Sequence, residues 1–169
     1  MKKTNDSASA MLGMQCRPID ESMFADGGAQ IKKMASFLVQ AMDSLMVSGV
    51  SACEIGIDSA IFATSTEGVI RICVNPQLVA ASADMQCEQE TCPSFPGLKL
   101  SVRRPAAVVV RYQNIEGTEV TEHLEGDAAR QWLHEYDHVN GICFTDRVSK
   151  LKLNMAKKRV AKNERKVLR

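Results

Sequence analysis

The chain has 169 residues, a length that suits one domain with a sizeable hydrophobic core. Apolar residues make up 45% of it and charged residues 24%, which excludes a disordered, fibrous or low-complexity chain. The net charge of +1 is the sum of two oppositely charged segments. Residues 1–149 hold 12 basic and 19 acidic residues, whereas residues 150–169 hold nine basic residues and one acidic residue. The sequence therefore predicts an acidic body, residues 1–149, followed by a basic tail.

Composition also bears on the cellular compartment. No apolar run approaches the roughly 18 residues of a membrane span. Met1-Lys2-Lys3 is not followed by the apolar segment of a secretory signal. A chain of this length needs no disulfide framework, so we expect its cysteines to be reduced thiols in a cytoplasmic protein. The six cysteines are Cys16, Cys53, Cys73, Cys87, Cys92 and Cys143. We expect no membrane contact and a monomer.

A first helix is predicted to open at Asp26-Gly27-Gly28 and to end near Ser48-Gly49, because apolar residues recur there at helical spacing. Those residues are Ile31, Met34, Leu38, Met42, Leu45 and Met46. Such Met-rich stripes usually fill a core, so we expect this one to do so.

The chain between residues 60 and 124 is predicted to form strands, since β-branched and aromatic residues cluster there between turn signals. The predicted strands are 60–64, 69–74, 78–81, 106–112 and 118–124. Turns are predicted at Glu67-Gly68, Asn75-Pro76 and 114–117. Strands joined in this way favour antiparallel hairpins.

A second helix is predicted from Asp127, as its N-cap, to Asn140-Gly141. A third, basic helix is predicted from Ser149 to about Lys166. Its sparse apolar edge consists of Leu151, Met155 and Val160. The predicted fold is α+β, with antiparallel sheets around the central helix, an N-terminal helix and a basic C-terminal helix. We expect one domain, with residues 1–149 as its catalytic part and 150–169 as its tail.

The second predicted helix carries the pattern H-E-x-x-H at residues 134–138. His134 and His138 lie four residues apart, so both imidazoles point from one helix face and can bind one metal ion. Glu135 beside the first histidine is placed to take a proton from a water molecule at that metal. His123, the third histidine of the chain, lies on an alternating strand and is expected to be an ordinary surface residue.

A catalytic metal site needs a third protein ligand. On spacing alone, Asp146 is one option and Cys92 is another. Cys92 belongs to the turn-rich run E-T-C-P-S-F-P-G at residues 90–97, which is suited to presenting a side chain.

Three segments resemble the motifs of the peptide deformylase family. The family pattern Q-H-E-x-D-H is matched at residues 133–138, and the match continues through Asn140-Gly141 and Asp146-Arg147. The pattern E-G-C-L-S is matched by residues 90–94, and G-x-G-L-A-A-x-Q survives in outline at residues 47–54.

The resemblance implies that Cys92, His134 and His138 hold one divalent metal, with Fe²⁺ as the native ion and Zn²⁺, Ni²⁺ or Co²⁺ as substitutes. A thiolate with two imidazoles suits such a metal better than Mg²⁺ or Ca²⁺. Glu135 is then the general acid and base in removing the formyl group from the N-terminal formylmethionine of nascent polypeptides, which releases formate. Asp137 is expected to orient the helix or the ligands.

Two departures fall where the family stabilises the developing oxyanion. The amide donor of the first motif is replaced by Glu54, and the residue after the cysteine is Pro93, which has no N–H. Glu54 is a donor only if it is protonated. One alternative is therefore a catalytically weakened, metal-binding or ribosome-binding relative. A zinc endopeptidase also fits H-E-x-x-H but leaves residues 90–97 unexplained.

A pocket for methionine should be apolar. The residues expected to form or line the substrate site are Gly49, Val50, Pro93, Phe95 and Leu133. Trp132 is expected to point away from the ligands. The family's basic C-terminal helix docks on ribosomal RNA, so the resemblance implies a ribosome contact through residues 150–169.

Overall fold

The computed structural model describes residues 11–25 and 27–167. Within them the chain forms seven strands and three α-helices, with short 3-10 helices at Glu21–Phe24, Ala52–Ile55 and Phe144–Arg147. The strands are β1 (Gly49–Ser51), β2 (Ile61–Thr66), β3 (Val69–Ala81), β4 (Met85–Glu90), β5 (Leu100–Pro105), β6 (Ala107–Gln113) and β7 (Glu119–Glu125). The helices are α1 (Ala29–Leu45), α2 (Gly126–Val139) and α3 (Lys150–Val167). The predicted α+β class with antiparallel sheets is confirmed.

The larger sheet has the strand order β1-β2-β3-β6-β7, and all of its pairs are antiparallel. Both faces of β2 are covered, because successive strand residues point to opposite sides. Ile61 and Ala63 pack in the cluster with α1, whereas Phe62 packs in the cluster with α2. The Phe62 ring meets the edge of Trp132 at 5.5 Å, which holds α2 against the sheet. Trp132 is fully buried and points away from the ligands, as predicted.

Helix α1 is shorter than predicted. Its buried side chains are Ile31, Ala35, Leu38 and Met42. Met46 takes a left-handed backbone conformation (φ 53°), which ends the helix after Leu45. Leu45 is 48% exposed and Met46 is 91% exposed, so the prediction that both belong to the core is wrong. Asp26, at the predicted start, lies outside the described residues.

Strand β3 runs unbroken through the predicted turn at Asn75-Pro76. Asn75 has a positive φ of 49°, and the pairing of β3 with β6 shifts register between Val74 and Gln77. This irregularity accommodates Pro76, which has no N–H to give to the ladder. The Asn75 side chain donates to the Ile19 carbonyl at 2.8 Å, which fixes the bend.

Strands β4 and β5 form a separate two-stranded sheet that the sequence analysis did not predict. The run M-Q-C-E-Q-E of β4 is polar and lacks the β-branched residues of the other strands. This sheet contributes to a third buried cluster: Cys92, Leu98, Leu100, Val102 and Phe144. Helix α3 covers that cluster with Leu153, Ala156 and Val160.

Two local predictions about the helices are wrong. Glu125 occupies the N-cap position of α2 and makes no side-chain capping bond, so Asp127 lies in the first turn instead. In α3, Leu151 and Met155 are 71% and 50% exposed, so these two do not belong to the buried edge, whereas Val160 packs on the third cluster as predicted, together with Leu153 and Ala156. None of the helices in the described residues is long and apolar enough to cross a membrane.

Candidate active site

Helix α2 brings the H-E-x-x-H residues to one face. The rings of His134 and His138 lie edge to face with centroids 4.9 Å apart, as expected for residues one turn apart. Both side chains are buried, and Glu135 between them is only 1% exposed. The helix therefore presents two imidazoles and a carboxyl group into the protein interior.

Cys92 completes a set of three ligand atoms. It follows the end of β4, and its Sγ lies 3.4 Å from Nε2 of His138. The candidate ligand atoms of Cys92, His134 and His138 all lie within 4.8 Å of one another. One sulfur and two nitrogens at this spacing suit a tetrahedral late metal such as Fe²⁺ or Zn²⁺ with one open position. The three ligands that the sequence analysis proposed are thus brought together.

The protonation states of these groups also fit a metal ion. Burial, reinforced by the nearby Glu54 charge, raises the pKa of the Cys92 thiol, so it loses its proton only to a strong positive charge at the site. Burial lowers the pKa of His138, which keeps its ring neutral and able to bind a metal.

A buried ion-pair network orients His134. Its Nδ1 lies 3.0 Å from Oε2 of Glu90, the last residue of β4, which leaves Nε2 for the metal. Arg104 on β5 donates to both carboxylate oxygens of Glu90, at 2.6 Å and 2.9 Å. Arg130 adds a third donor, from Nη1 to Oε1 at 2.7 Å. Glu90 thus ties the histidine to two arginines.

Asp137 extends this network on the other side of Arg104. It accepts a hydrogen bond from Arg104 Nη1 at 2.8 Å, and it also binds Arg147. Asp137 therefore reaches His134 only through Arg104 and Glu90, in agreement with its predicted orienting role.

The network changes the acidity of Glu90. Burial alone would raise its pKa, but the hydrogen bonds from His134 and Arg104 outweigh burial and lower the pKa to about 2. Glu90 is therefore ionised wherever the protein is folded near neutral pH.

Glu135 is buried beside the candidate ligands. Its Oε1 accepts a hydrogen bond from Gln131 Nε2 at 2.9 Å, whereas its Oε2 is buried and has no partner in the described structure. Complete burial, followed by the charge of Glu54, raises the pKa of Glu135 well above its usual value. Glu135 and His134 together line a cavity of about 210 Å³.

Gly49 on β1 fits because it has no side chain. A Cβ there would lie 2.3 Å from Gln131 Nε2 and 2.6 Å from Glu135 Oε1. Any larger residue would displace Glu135 or Gln131, its hydrogen-bond partner. Glycine at this position thus sets the space available to Glu135.

Glu54 lies beside Cys92, and both of its carboxylate oxygens accept hydrogen bonds. Its Oε2 accepts from the Ser51 N–H and hydroxyl, and its Oε1 accepts from the Ser94 hydroxyl at 3.0 Å and the Cys92 thiol at 3.1 Å. Burial raises the pKa of Glu54, but the neighbouring His138 imidazole and the hydrogen bonds from Ser51 and Cys92 lower it by more, so the net shift is downward. Glu54 is an ionised acceptor, and it does not supply the missing oxyanion donor.

The predicted substrate residues divide into two groups. Gly49 and Pro93 line the cavity with Glu135. Val50, Phe95 and Leu133 are not among its lining residues, because each packs in one of the three hydrophobic clusters. The cavity wall is therefore mixed, with Met46, Val47 and Pro93 beside polar side chains.

Two further candidates have other roles. Asp146 accepts a hydrogen bond from the Cys143 N–H at 2.9 Å and is not part of the ligand set. His123 is 57% exposed beside Glu125, as expected of a surface histidine. All six cysteines are free thiols.

Sequence reasoning assigned no role to Glu90, Arg104, Arg130 or Gln131. For Glu90 the only signal was its membership of the segment 90–94, which resembles the family. The pairing of Glu90 with Arg104 is long-range, 14 residues apart, and depends on the unpredicted β4–β5 sheet.

We predict that Glu90→Gln weakens the pH dependence of stability. The folded-state pKa is depressed, so Glu90 stabilises the fold at pH values above its unfolded pKa of about 4.3, and this contribution is lost as the pH falls towards 2. At pH 7 the variant should lose about 3 kcal/mol of unfolding free energy, measured by urea denaturation. Between pH 5 and 2 its stability should fall less steeply than that of the parent protein. Glu119→Gln, at a 67% exposed site, is the control, and equal slopes for Glu90→Gln and parent would contradict the prediction.

Comparison with known proteins agrees with this site. The sequence model of the polypeptide deformylase family matches residues 2–154. The peptide deformylase of Thermotoga neapolitana is 33% identical over 130 residues, which cover 77% of this chain and 79% of that protein. That of Treponema pallidum is 30% identical over 150 residues, covering 89% and 93%.

Solved structures agree as well. A peptide deformylase from Synechococcus elongatus in complex with actinonin has a TM-score of 0.81 and 28% identity, covering 89% of this chain and 81% of that one. A Plasmodium falciparum peptide deformylase in complex with an inhibitor has a TM-score of 0.79 and 26% identity, covering 92% and 94%. The chain therefore belongs to the peptide deformylase family, as its sequence motifs predict.

Proposed function

We propose that this protein is a metal-dependent deformylase, which removes the formyl group from the N-terminus of nascent polypeptides and releases formate. The observation that carries the proposal is Glu135. It is a buried carboxyl group with one unpartnered oxygen, in a cavity next to three convergent metal-ligand side chains. Family membership supplies the reaction class, and the geometry supplies the residue roles.

Cys92, His134 and His138 would hold the metal, with Fe²⁺ as the native ion by resemblance to the family. When bound, the metal supplies Lewis-acid activation of water and of the formyl carbonyl. Glu135 takes the proton from water and returns it to the leaving amine. Its raised pKa helps it to hold the proton between the two transfers, because a carboxyl group of ordinary acidity would hold the proton too weakly.

Gln131 and Gly49 keep the base in position. Gln131 fixes Oε1 of Glu135 by a hydrogen bond, and the backbone of Gly49 closes the space on that side. The free oxygen, Oε2, is then left to exchange the proton.

A weakened enzyme remains the second candidate, and a specific observation favours it. Two positions expected to donate to the oxyanion, Glu54 and Pro93, offer no hydrogen there. Loss of one such donor typically costs about 10²–10³ in rate. A zinc endopeptidase has less support, since Cys92 rather than an acid or a histidine completes the ligand set.

We predict formate release from a formyl-Met tripeptide by protein loaded anaerobically with Fe²⁺ or Ni²⁺. Glu135→Ala should lower kcat by at least about 10²-fold, because the proton carrier is lost, while one metal per chain remains bound. Formate can be measured by a coupled dehydrogenase assay and the metal by elemental analysis. If the fully loaded protein released no formate, only the metal-binding alternative would remain. Cleavage of internal peptide bonds would indicate an endopeptidase.

We further predict that Glu54→Gln raises kcat, by about tenfold or more. The amide would restore a donor in place of a carboxylate that repels the oxyanion. Ser94→Ala is the matched control, because it removes a hydrogen bond to Glu54 without adding a donor. A lower kcat for Glu54→Gln, with metal content unchanged, would contradict the proposed role of Glu54.

We also propose that α3 binds ribosomal RNA, with residues 1–149 acting as the catalytic part of the cytoplasmic protein. Among the side chains of α3 that the structure describes, up to residue 165, seven basic ones are exposed, and the opposite edge packs on the third cluster. The exposed residues are Lys150, Lys152, Lys157, Lys158, Arg159, Lys162 and Arg165. Such a surface suits phosphate contacts whose strength falls with salt.

This proposal predicts salt-sensitive co-sedimentation with ribosomes. The triple charge reversal Lys157→Glu, Lys158→Glu and Lys162→Glu should weaken it at least about tenfold at 0.1 M salt. Charge reversal is preferable to truncation, because removing α3 would uncover the cluster that contains Cys92. The control is reversal of Lys32 and Lys33, which are exposed on α1. Equal loss in both variants would argue against a specific role of α3.

A further inference from the structure

The Glu54 carboxylate touches two of the three candidate metal ligands. Its side chain is 6% exposed, and its Oε1 lies 3.1 Å from Sγ of Cys92 and 3.6 Å from Nε2 of His138. Those two ligand atoms are themselves 3.4 Å apart. The oxygen, the sulfur and the nitrogen therefore form a nearly equilateral triangle.

The size of this triangle matches one face of a tetrahedral metal site. With metal–ligand distances of about 2.0–2.3 Å, a tetrahedron separates neighbouring ligand atoms by about 3.3–3.8 Å. The three distances in the triangle, 3.1, 3.4 and 3.6 Å, lie within this range or just below it. The ligand atom of His134 lies within 4.8 Å of those of Cys92 and His138. Four protein atoms are thus available to one ion, and all four are donors that zinc accepts.

The local fold fixes the direction of the Glu54 carboxylate. Glu54 lies in the 3-10 helix Ala52–Ile55, where its Oε2 accepts hydrogen bonds from the Ser51 N–H at 3.0 Å and from the Ser51 hydroxyl at 3.1 Å. The Ser94 hydroxyl donates to Oε1 at 3.0 Å. Because Oε2 is anchored in this way, Oε1 is held facing Cys92 and His138.

The buried Glu54 carboxylate has no basic partner among the described residues, since no lysine or arginine there forms an ion pair with it. Its neighbours are hydroxyl, N–H and thiol donors. Metal binding removes the proton of the Cys92 thiol, which then no longer donates to Oε1 and carries a negative charge beside it. Two buried negative charges 3.1 Å apart need a cation next to both. The ion bound by Cys92 is in the position to be that cation.

We propose that Glu54 is a fourth protein ligand, which binds the metal through Oε1 and closes the open coordination position until another ligand displaces it. The inference rests on the metal site of the proposed function and specifies how access to that site is controlled. Sites with four protein ligands are typically structural, whereas catalytic sites keep one position open. Any small ligand that must reach the metal therefore competes with the Glu54 carboxylate. Glu54→Gln then raises kcat for a second reason, because it frees this position.

A crystal structure of the zinc-loaded protein tests the assignment directly. We expect Oε1 of Glu54 at about 2.0–2.2 Å from zinc, together with Cys92, His134 and His138. A distance above about 3 Å, well outside the bonding range, would overturn the proposal. This measurement requires no turnover, so the result is the same test whether or not the protein releases formate from a peptide.

Formate binding to the cobalt-loaded protein tests whether the position is closed in solution. The visible absorption of Co²⁺ follows the change in its coordination as sodium formate is added. Glu54→Gln should bind formate at least about tenfold more tightly than the parent protein, because the competing carboxylate is absent. One cobalt ion per chain and an unchanged far-UV circular dichroism spectrum show that the variant is loaded and folded.

Glu135→Gln is the matched control for formate binding. It removes the other buried carboxyl group of the site, which is not part of the triangle, so it should keep the weak formate affinity of the parent protein. Equal formate affinity in the parent protein and Glu54→Gln would overturn the proposal. An equal gain in Glu54→Gln and Glu135→Gln would also overturn it, because the effect would then follow from removing any carboxyl group near the metal.

Discussion

The site depends on one buried guanidinium group, that of Arg104. Its side chain is 3% exposed and joins Glu90 at the end of β4 to Asp137 on α2. Burying these charges is costly, and removing one partner typically costs about 3–5 kcal/mol because the others are left uncompensated. Glu90 orients His134 and lies two residues before Cys92. The two ion pairs of Arg104 therefore hold the small sheet and α2 in the relative position that the candidate ligand set requires.

The sequence predicted the parts of the molecule that depend on local patterns. The three long helices and four of the five strands of the larger sheet follow from apolar periodicity and turn residues, whereas the short β1 was not predicted. The H-E-x-x-H spacing identifies its own helix face. The β4–β5 sheet could not be predicted in this way, because β4 is polar and depends on its partner and on Arg130. The burial of Glu90 and Arg104 was not predicted for the same reason. Only the tertiary fold brings Arg104 Nε within 2.6 Å of Glu90 Oε1. Two of the three residues predicted for the apolar edge of α3, Leu151 and Met155, are exposed, because a sparse apolar pattern fits several faces equally well.

The departures around the active site are consistent with one another. A carboxylate at Glu54 is matched by hydroxyl donors from Ser51 and Ser94, so the substituted position is well hydrogen-bonded. Ser48 and Gln131 likewise form a connected polar wall that ends at Glu135. Buried polar groups that are all partnered give a defined arrangement, whereas isolated changes would leave groups unsatisfied. These positions thus form a coherent polar site within the family fold.

The origin of the three ligands has a consequence for the cohesion of the fold. His134 and His138 belong to the helix that packs on the larger sheet, whereas Cys92 belongs to the cluster between the small sheet and α3. A bound metal ion would act as a cross-link between two separately packed cores. The free energy of metal binding at such a cross-link contributes directly to folding, since the unfolded chain does not hold the three ligands together. The metal-loaded protein should therefore resist unfolding. In the metal-free protein, unfolding should begin at the boundary between the two clusters.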